Sequence, residues 1–448
     1  MRRFRAQTAA RCRQAWQRAS QARCLMSGTF PKACVIALVV LGLLAMADLI
    51  PRMVIIATEA RETSYWESWE EAYIDRESGG MGMWVREHAT LTGRRWRSII
   101  LGRRSMKTFL HSECRDYLGE YAPLIRKELH HWEKTGVTND LLDRSRDANV
   151  IISQDRVYLS HGAERARLIP TYHSLIQHMR LRVKLPDMVI PLNPGDSPLA
   201  PVRKEVNPPT PIFSFCKTPE YSDIMIPNTI EGDVFVRPAA KRAFRPKSRA
   251  GPKDQRMPKA VWRGSTGGFG GLEKGRAALL NLGMSRPDLI DSGVLDWDYE
   301  RYGPDEGRLK EKMEFGHQVD KYKYLVWVPG NCASVRLALQ LASDAAVLKI
   351  DSPELEWYYP LLKPYQHYIP MVANASWVSL EEAIGWAEAH QEEVAQIVEN
   401  ATAFATRYLS AKGRDCYFAQ LLHEWHKLQR DKVRLGSNVE YTPEWSCC

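Results

Sequence analysis

The chain has 448 residues, 44% of them apolar and 26% charged, ordinary globular usage that excludes a wholly disordered or fibrous protein. Its net charge of +9 is concentrated at the start: residues 1–32 hold seven Arg, one Lys and no acid. The remainder is therefore close to neutral, without the excess that a basic nucleic-acid-binding stripe requires, and no nucleic-acid partner is expected.

After this basic tail, residues 33–50 (ACVIALVVLGLLAMADLI) carry a single charge, Asp48. A membrane-spanning helix needs ~20 apolar residues, and MVIIA at 53–57, past Pro51 and Arg52, extends the run. Residues 33–57 are thus expected to be a transmembrane signal anchor. The positive flank is N-terminal, which leaves 1–32 cytosolic and the rest luminal, a single-pass type II topology. Cleavage after Ala47 of Ala45-Met46-Ala47 is one alternative, against which a 32-residue n-region is long. An organelle transit peptide is another, against which the apolar run is too continuous. Residues 58–108 show no clear period and read as a stem.

Nine cysteines are too few for a disulfide scaffold, and no C-x-x-C pair or His/Cys cluster has zinc-ligand spacing, so no metal site is expected. Cys114, Cys216, Cys332, Cys416, Cys447 and Cys448 fall on the luminal side, where disulfides persist. The acceptor sequons at Asn374 and Asn400 agree with that side.

From 109 to 255 the sequence suggests a first α/β lobe: a helix over ECRDYLGEYAPLIRKELHHWEK, a strand pair NVIIS and RVYLS, then short apolar strands DMVIPL and PIFSF. A Pro-, Gly- and basic-rich stretch at 237–258 reads as the inter-lobe linker. In the second lobe, 256–410, strands KAVWRG, DLIDSGVL, YKYLVWVPG and AAVLKI alternate with helices KGRAALLNLG and SVRLALQLAS, the pattern of βαβ units and a parallel sheet. Ser379 and Glu382 are spaced as a capping box before a long helical stretch. The last segment, 411–448, contains a final helix, CYFAQLLHEWHKL.

Open parallel sheets bind ligands beyond the carboxyl ends of their strands, which directs attention to two turns. WRGSTGGFGG at 262–271 is a glycine-rich loop between strand and helix, with Arg263 and Arg276 as possible phosphate partners. It matches neither a P-loop nor a strict G-x-G-x-x-G, so a plain flexible turn stays open. VPGNCASVRLALQL at 328–341 places Arg336 in the first turn of a helix, where a cation makes better sense beside a bound anion. The competing reading turns Arg336 to solvent or pairs it with Glu354 or Glu356. Two such turns in one lobe fit a diphosphate.

Asp196 in LNPGDSPLAP follows a strand, either facing a cleft or making an Asx-turn. Asp296-Trp-Asp298 has the spacing of a metal-holding D-x-D, a tripeptide that arises easily by chance, and reads as structural. His367 and the Trp357-Tyr358-Tyr359 run read as packing residues, although the aromatic run could also stack on a sugar or base. No G-x-S-x-G, H-E-x-x-H or kinase signature set is present.

The segments KAVWRGS, YKYLVWVPGNCASVRLALQLASDAAVLK and ELEWYYPLLKPYQHYIPM, in this order and spacing, resemble glycosyltransferase family 90, which includes protein O-glucosyltransferases, KDEL-motif-containing relatives and capsule xylosyltransferases. The likeness is strong over 259–371 and traceable over 111–235 and 376–427. It implies an α/β, GT-B-like fold of two Rossmann-type lobes with a central cleft. It implies an inverting, metal-independent transfer of glucose or xylose from a UDP-sugar to a hydroxyl of a protein or glycan, with no cofactor beyond that co-substrate. LNPGDSP places Asp196 on the family's N-x-x-D-x-P general base. The donor-binding positions carry over to Ser265, Arg276, Asn331, Cys332, Ala333, Ser334, Val335 and Arg336. A family disulfide maps onto Cys114 and Cys416, and its other bridges have no counterpart. The glycine-rich loop is longer than the family's, and EWSCC at the end is no KDEL-like retrieval signal, which leaves retention in the Golgi or endoplasmic reticulum membrane to the anchor. A membrane-tethered glycan-binding or scaffold protein that keeps the fold without turnover is the alternative.

Overall fold

The computed structural model describes residues 103–145, 149–160, 169–203, 206–228, 248–265, 275–296, 307–374, 376–436 and 439–441. The basic tail, the anchor at 33–57, nearly all of the stem, residues 266–274 of the glycine-rich loop, Asp298, Cys447 and Cys448 lie outside them. Among the described residues no helix is long and apolar enough to cross a membrane.

The N-terminal lobe opens on β1 (Arg104–Ser105) and α1 (Met106–Glu113), so helix begins within the stretch read as stem. The Ser105 hydroxyl caps it, accepting the Thr108 N–H at 3.1 Å. Cys114, at φ −115° and ψ 7°, ends α1, and α2 (Arg115–Leu129) follows directly, in place of one uninterrupted helix. After the short α3 (Asn139–Leu142) come β2 (Asn149–Ser153) and β3 (Arg156–Ser160), an antiparallel hairpin. Gln154 and Asp155 turn it at φ 49° and 63°, the left-handed conformation that two-residue hairpin turns demand. Helix α4 (Ile169–Arg182) leads to β4 (Val183–Lys184), parallel to β1, and β5 (Met188–Pro191), antiparallel to β2. Leu192 bridges Phe213 in parallel, and β6 (Phe213–Ser214) pairs in parallel with β7 (Ile224–Met225). Strands β2, β3 and β5 thus run antiparallel, whereas the β1–β4 and β6–β7 pairs are parallel, and the expected strand pair NVIIS and RVYLS is formed. A two-residue turn between NVIIS and RVYLS permits only an antiparallel return.

The C-terminal lobe meets the expectation. Strands β8 (Met257–Gly264), β9 (Ile290–Val294), β10 (Tyr322–Trp327), β11 (Ala346–Ile350) and β12 (Ile369–Met371) form one parallel sheet in the order β12-β11-β10-β8-β9. The crossovers carry α5 (Ala277–Ser285), α6 (Phe315–Lys321) and α7 (Arg336–Leu341). From β8 the chain moves to β9 on one side, then returns to β10 on the other. The crevice between β8 and β10 is therefore the topological switch point, where ligands of such sheets bind.

Helices α8 (Leu380–Ala389) and α9 (Gln391–Phe404) follow. The expected capping box does not form: the Ser379 hydroxyl instead accepts the Val372 N–H at 3.0 Å, tying α8 to the end of β12. Helix α10 (Ala411–Leu428) returns to the N-terminal lobe. There Cys416 is bonded to Cys114, the Trp425 indole N–H donates to Val189 O at 2.9 Å, and the Tyr417 hydroxyl donates to Met225 O at 3.0 Å. Trp357 lies 4.5 Å from the Tyr417 ring and 6.0 Å edge-on from Tyr121, so one hydrophobic core runs through both lobes.

Candidate active site

Asp196 sits just past β5, half-buried, on a loop whose shape is set by its neighbours. Asn193, buried at the end of that strand, accepts the Gly195 N–H at 2.8 Å and donates to Ser197 O at 2.7 Å and to Ser214 Oγ at 3.0 Å. Asp223, also buried, accepts the Leu199 and Ala200 N–H groups and the Ser214 hydroxyl. The Asx-turn considered for Asp196 is thus made by Asn193, and the Asp196 carboxylate points elsewhere. Its Oδ2 accepts the Asn331 side-chain N–H at 3.1 Å, from the turn after β10 in the other lobe.

That turn and the one after β8 flank the switch point. Arg276, at the start of α5, is buried and lies over the Trp262 ring at 5.7 Å. It donates to Ser265 O at 2.9 Å and to Pro329 O at 3.1 Å, binding the two turns together. Gly330 makes room for it: a Cβ there would stand 3.2 Å from an Arg276 terminal nitrogen. Arg336, the first residue of α7, donates to Arg263 O across the same crevice. Among the described residues, neither Arg276 nor Arg336 has a carboxylate in salt-bridge contact, so the Glu354 or Glu356 pairing weighed for Arg336 is not formed.

The Arg276 pKa is lowered to about 10, chiefly by burial and also by the like charge of Arg336, with Asp296 opposing the shift. Burial lowers that of Arg336 as well. Guanidinium groups stay charged at neutral pH regardless. The shifts therefore express the cost of holding two cations together out of water, a cost that a bound anion offsets.

Arg263 is different, and the expectation that it faces a phosphate is corrected. It is buried against Asp291 at 2.9 Å and donates to Asp291 O at 2.8 Å. Burial pushes the Asp291 carboxyl up, but hydrogen bonds from Lys310 and Tyr322 and the charge of Arg263 hold it well below the usual range. This cluster is satisfied within the fold.

The turn residues contribute unequally. The Cys332 side chain is buried in a disulfide with Cys216, a second bridge that sequence reasoning missed, so only its backbone is available to a ligand. The Ala333 N–H is taken up by Cys216 Sγ at 2.8 Å. Ser334 O accepts the Trp327 indole N–H at 2.8 Å, Val335 precedes α7, and Ser265 is exposed beside the other turn.

Lys349, also unforeseen, lies near the carboxyl end of β11 with Nζ at 4.5, 5.3 and 5.5 Å from the Trp327, Tyr359 and Tyr368 ring centres. Burial lowers its pKa to about 8, opposed by Asp351, Glu354 and Glu356. Trp357 and Tyr358 are wholly buried, so most of the aromatic run is packing. His367 is packing too: its Nδ1 accepts the Lys363 N–H at 3.0 Å and its ring meets Phe404 at 4.9 Å. Among the described residues no group of three or more His, Cys, Asp or Glu could hold a metal ion. Of the sequons, Asn374 is exposed in a turn, whereas Asn400 lies within α9 with the Thr402 hydroxyl turned to Ser343 O.

Residues 111–447 match the family described as Glycosyl transferase family 90. The chain is 30% identical over 299 residues to Protein O-glucosyltransferase 2 of Danio rerio, covering 65% of this chain and 58% of that protein. It is 28% identical over 268 residues to Protein O-glucosyltransferase 3 of Homo sapiens, covering 59% of this chain and 51% of that protein. It is 29% identical over 313 residues to Protein O-glucosyltransferase 1 of Homo sapiens, covering 64% and 74% respectively.

Proposed function

Because the chain belongs to glycosyl transferase family 90, we propose that it is an inverting, metal-independent glycosyltransferase that moves glucose or xylose from a UDP-sugar to a hydroxyl of a protein or glycan. The observation that carries this reading is the 3.1 Å hydrogen bond from Asn331 to Asp196. It brings a carboxylate from one lobe to the turn that leads into Arg336 on the other. We read the pair of lobes as GT-B-like, with the donor held at the β8–β10 switch point.

In the proposed reaction Asp196 accepts the proton of the acceptor hydroxyl as its oxygen attacks the anomeric carbon. The bond from that carbon to the diphosphate breaks on the opposite face, inverting the configuration. Charge grows on the departing UDP, where Arg276 and Arg336 are placed to meet it. Two cations so positioned supply the stabilisation that a metal ion gives elsewhere. Both disulfides fit an oxidising compartment. We therefore place the catalytic part in the lumen of the Golgi or endoplasmic reticulum, tethered by residues 33–57, with Asn374 better presented for glycosylation than Asn400.

A panel of UDP-sugars offered to the protein with and without a chelator, scored by UDP release, tests this. Turnover with UDP-glucose or UDP-xylose that survives the chelator is the expected result. UDP binding without turnover on any donor would identify a catalytically silent relative.

A further inference from the structure

The segment 213–217, which starts with β6, touches both halves of the site. Ser214 Oγ accepts from Asn193 and donates to Asp223, the two residues that shape the Asp196 loop. Two residues later Cys216 is bonded to Cys332, at a Cα–Cα separation of 6.2 Å, and its sulfur accepts the Ala333 N–H at 2.8 Å. The next residue, Lys217, exchanges two backbone hydrogen bonds with Leu355, of 3.1 and 2.7 Å. Beneath it the Lys217 ammonium is held by Glu128 and Asp223 O, both at 2.8 Å.

We propose that Cys216 is a positioning residue: its bond to Cys332 is a covalent strut that fixes the spacing between the Asp196 carboxylate and the turn leading to Arg336. This rests on the transferase reading above. Cys216 touches neither donor nor acceptor; it acts by holding Cys332, whose neighbour Asn331 bonds Asp196. Without the bridge, what joins the two lobes beside the Asn331 turn is non-covalent: the Asn331–Asp196 hydrogen bond, the Lys217–Leu355 pair and apolar packing. A donor turn free to move by about 1 Å would lose catalysis out of proportion to stability. The other bridge, Cys114–Cys416, ties α1 to α10 in the N-terminal lobe and leaves both turns untouched.

The test compares the full-length double variants C216S/C332S and C114S/C416S with the wild type by amide hydrogen exchange, UDP titration and initial rates with UDP-glucose and UDP-xylose. For C216S/C332S the expectation is faster exchange confined to 194–199 and 330–336, about tenfold weaker UDP binding and a kcat lower by about 10²-fold. C114S/C416S is expected to lower thermal stability while kcat stays within about twofold, as for a site remote from the chemistry. The alanine pair C216A/C332A serves if the serine pair does not fold. Wild-type exchange and kcat in C216S/C332S would overturn the strut, as would failure of both pairs to fold while C114S/C416S does. A wild type that neither binds UDP nor releases it from any donor would overturn the transferase reading, and the exchange comparison would still decide the strut.

Discussion

Asp415 on α10 and the Arg276–Arg336 pair are both charges held away from water, and they are treated in opposite ways. Around Asp415 the partners converge: the His178 ring at 2.9 Å, Arg414 at 3.3 Å, and Arg182. Burial pushes its carboxyl up, yet the charges of His178 and Arg414, the His178 hydrogen bond and Arg182 hold it well below the usual carboxylate range. At the switch point two cations meet with, among the described residues, no carboxylate in salt-bridge contact, and burial lowers both their pKa values. A matched cluster stabilises the fold. An unmatched one leaves a charge to be completed by a ligand, as the perturbed groups of functional sites do.

The largest effect on stability is expected where the match is broken. Asp415→Asn leaves the buried Arg414 and the half-buried Arg182 without their carboxylate and should cost about 3–5 kcal/mol. Chemical denaturation reads the loss, while kcat per folded molecule stays near that of the wild type. Arg336→Met should do the reverse. Turnover falls about 10²–10³-fold, yet the ligand-free melting temperature holds or rises because a costly charge is gone. The wild type gains stability from saturating UDP, and Arg336→Met loses most of that gain; a variant that melted early and kept its UDP shift would break the comparison.

His173 on α4 is a third buried group, 3% exposed, and burial lowers its pKa to about 4. The unfolded ring titrates near ~6.5, so on acidification the unfolded chain takes up its proton first. The stability that depends on the neutral ring is whole above pH ~6.5 and is lost as pH falls toward 4, about 3 kcal/mol in all. His173→Gln should flatten the denaturation midpoint between pH 7 and 4.5 by that share. The smallest effect is expected at Lys349→Met, which empties the ring of Trp327, Tyr359 and Tyr368. A cation–π contact is worth about 0.5–2 kcal/mol. Because Trp327 supports Ser334 O, the KM for the donor sugar should rise by about threefold to tenfold.

What was legible beforehand follows the range of the interactions. Strand and helix alternation over 256–350 is local, and KAVWRG, YKYLVWVPG and AAVLKI all became strands of one parallel sheet. The position of both turns was legible too: Arg276 and Arg336 each stand at the opening of a helix that follows a strand, as the sequence pattern implies. Pairings across the chain were not. Arg263 is matched by Asp291, 28 residues away, and Cys216 by Cys332, 116 residues away. The Lys349 ring cage draws on β10, β11 and the segment before β12. The capping box at Ser379 failed for the same reason: its hydroxyl accepts the N–H of Val372, the residue just after β12.

Asp196→Asn tests the account most directly, with UDP affinity by titration and sugar transfer by UDP release measured on the same folded sample. The account predicts affinity within about twofold of the wild type and transfer lower by about 10²–10⁴-fold, the usual contribution of a general base. Transfer at the wild-type rate would contradict it.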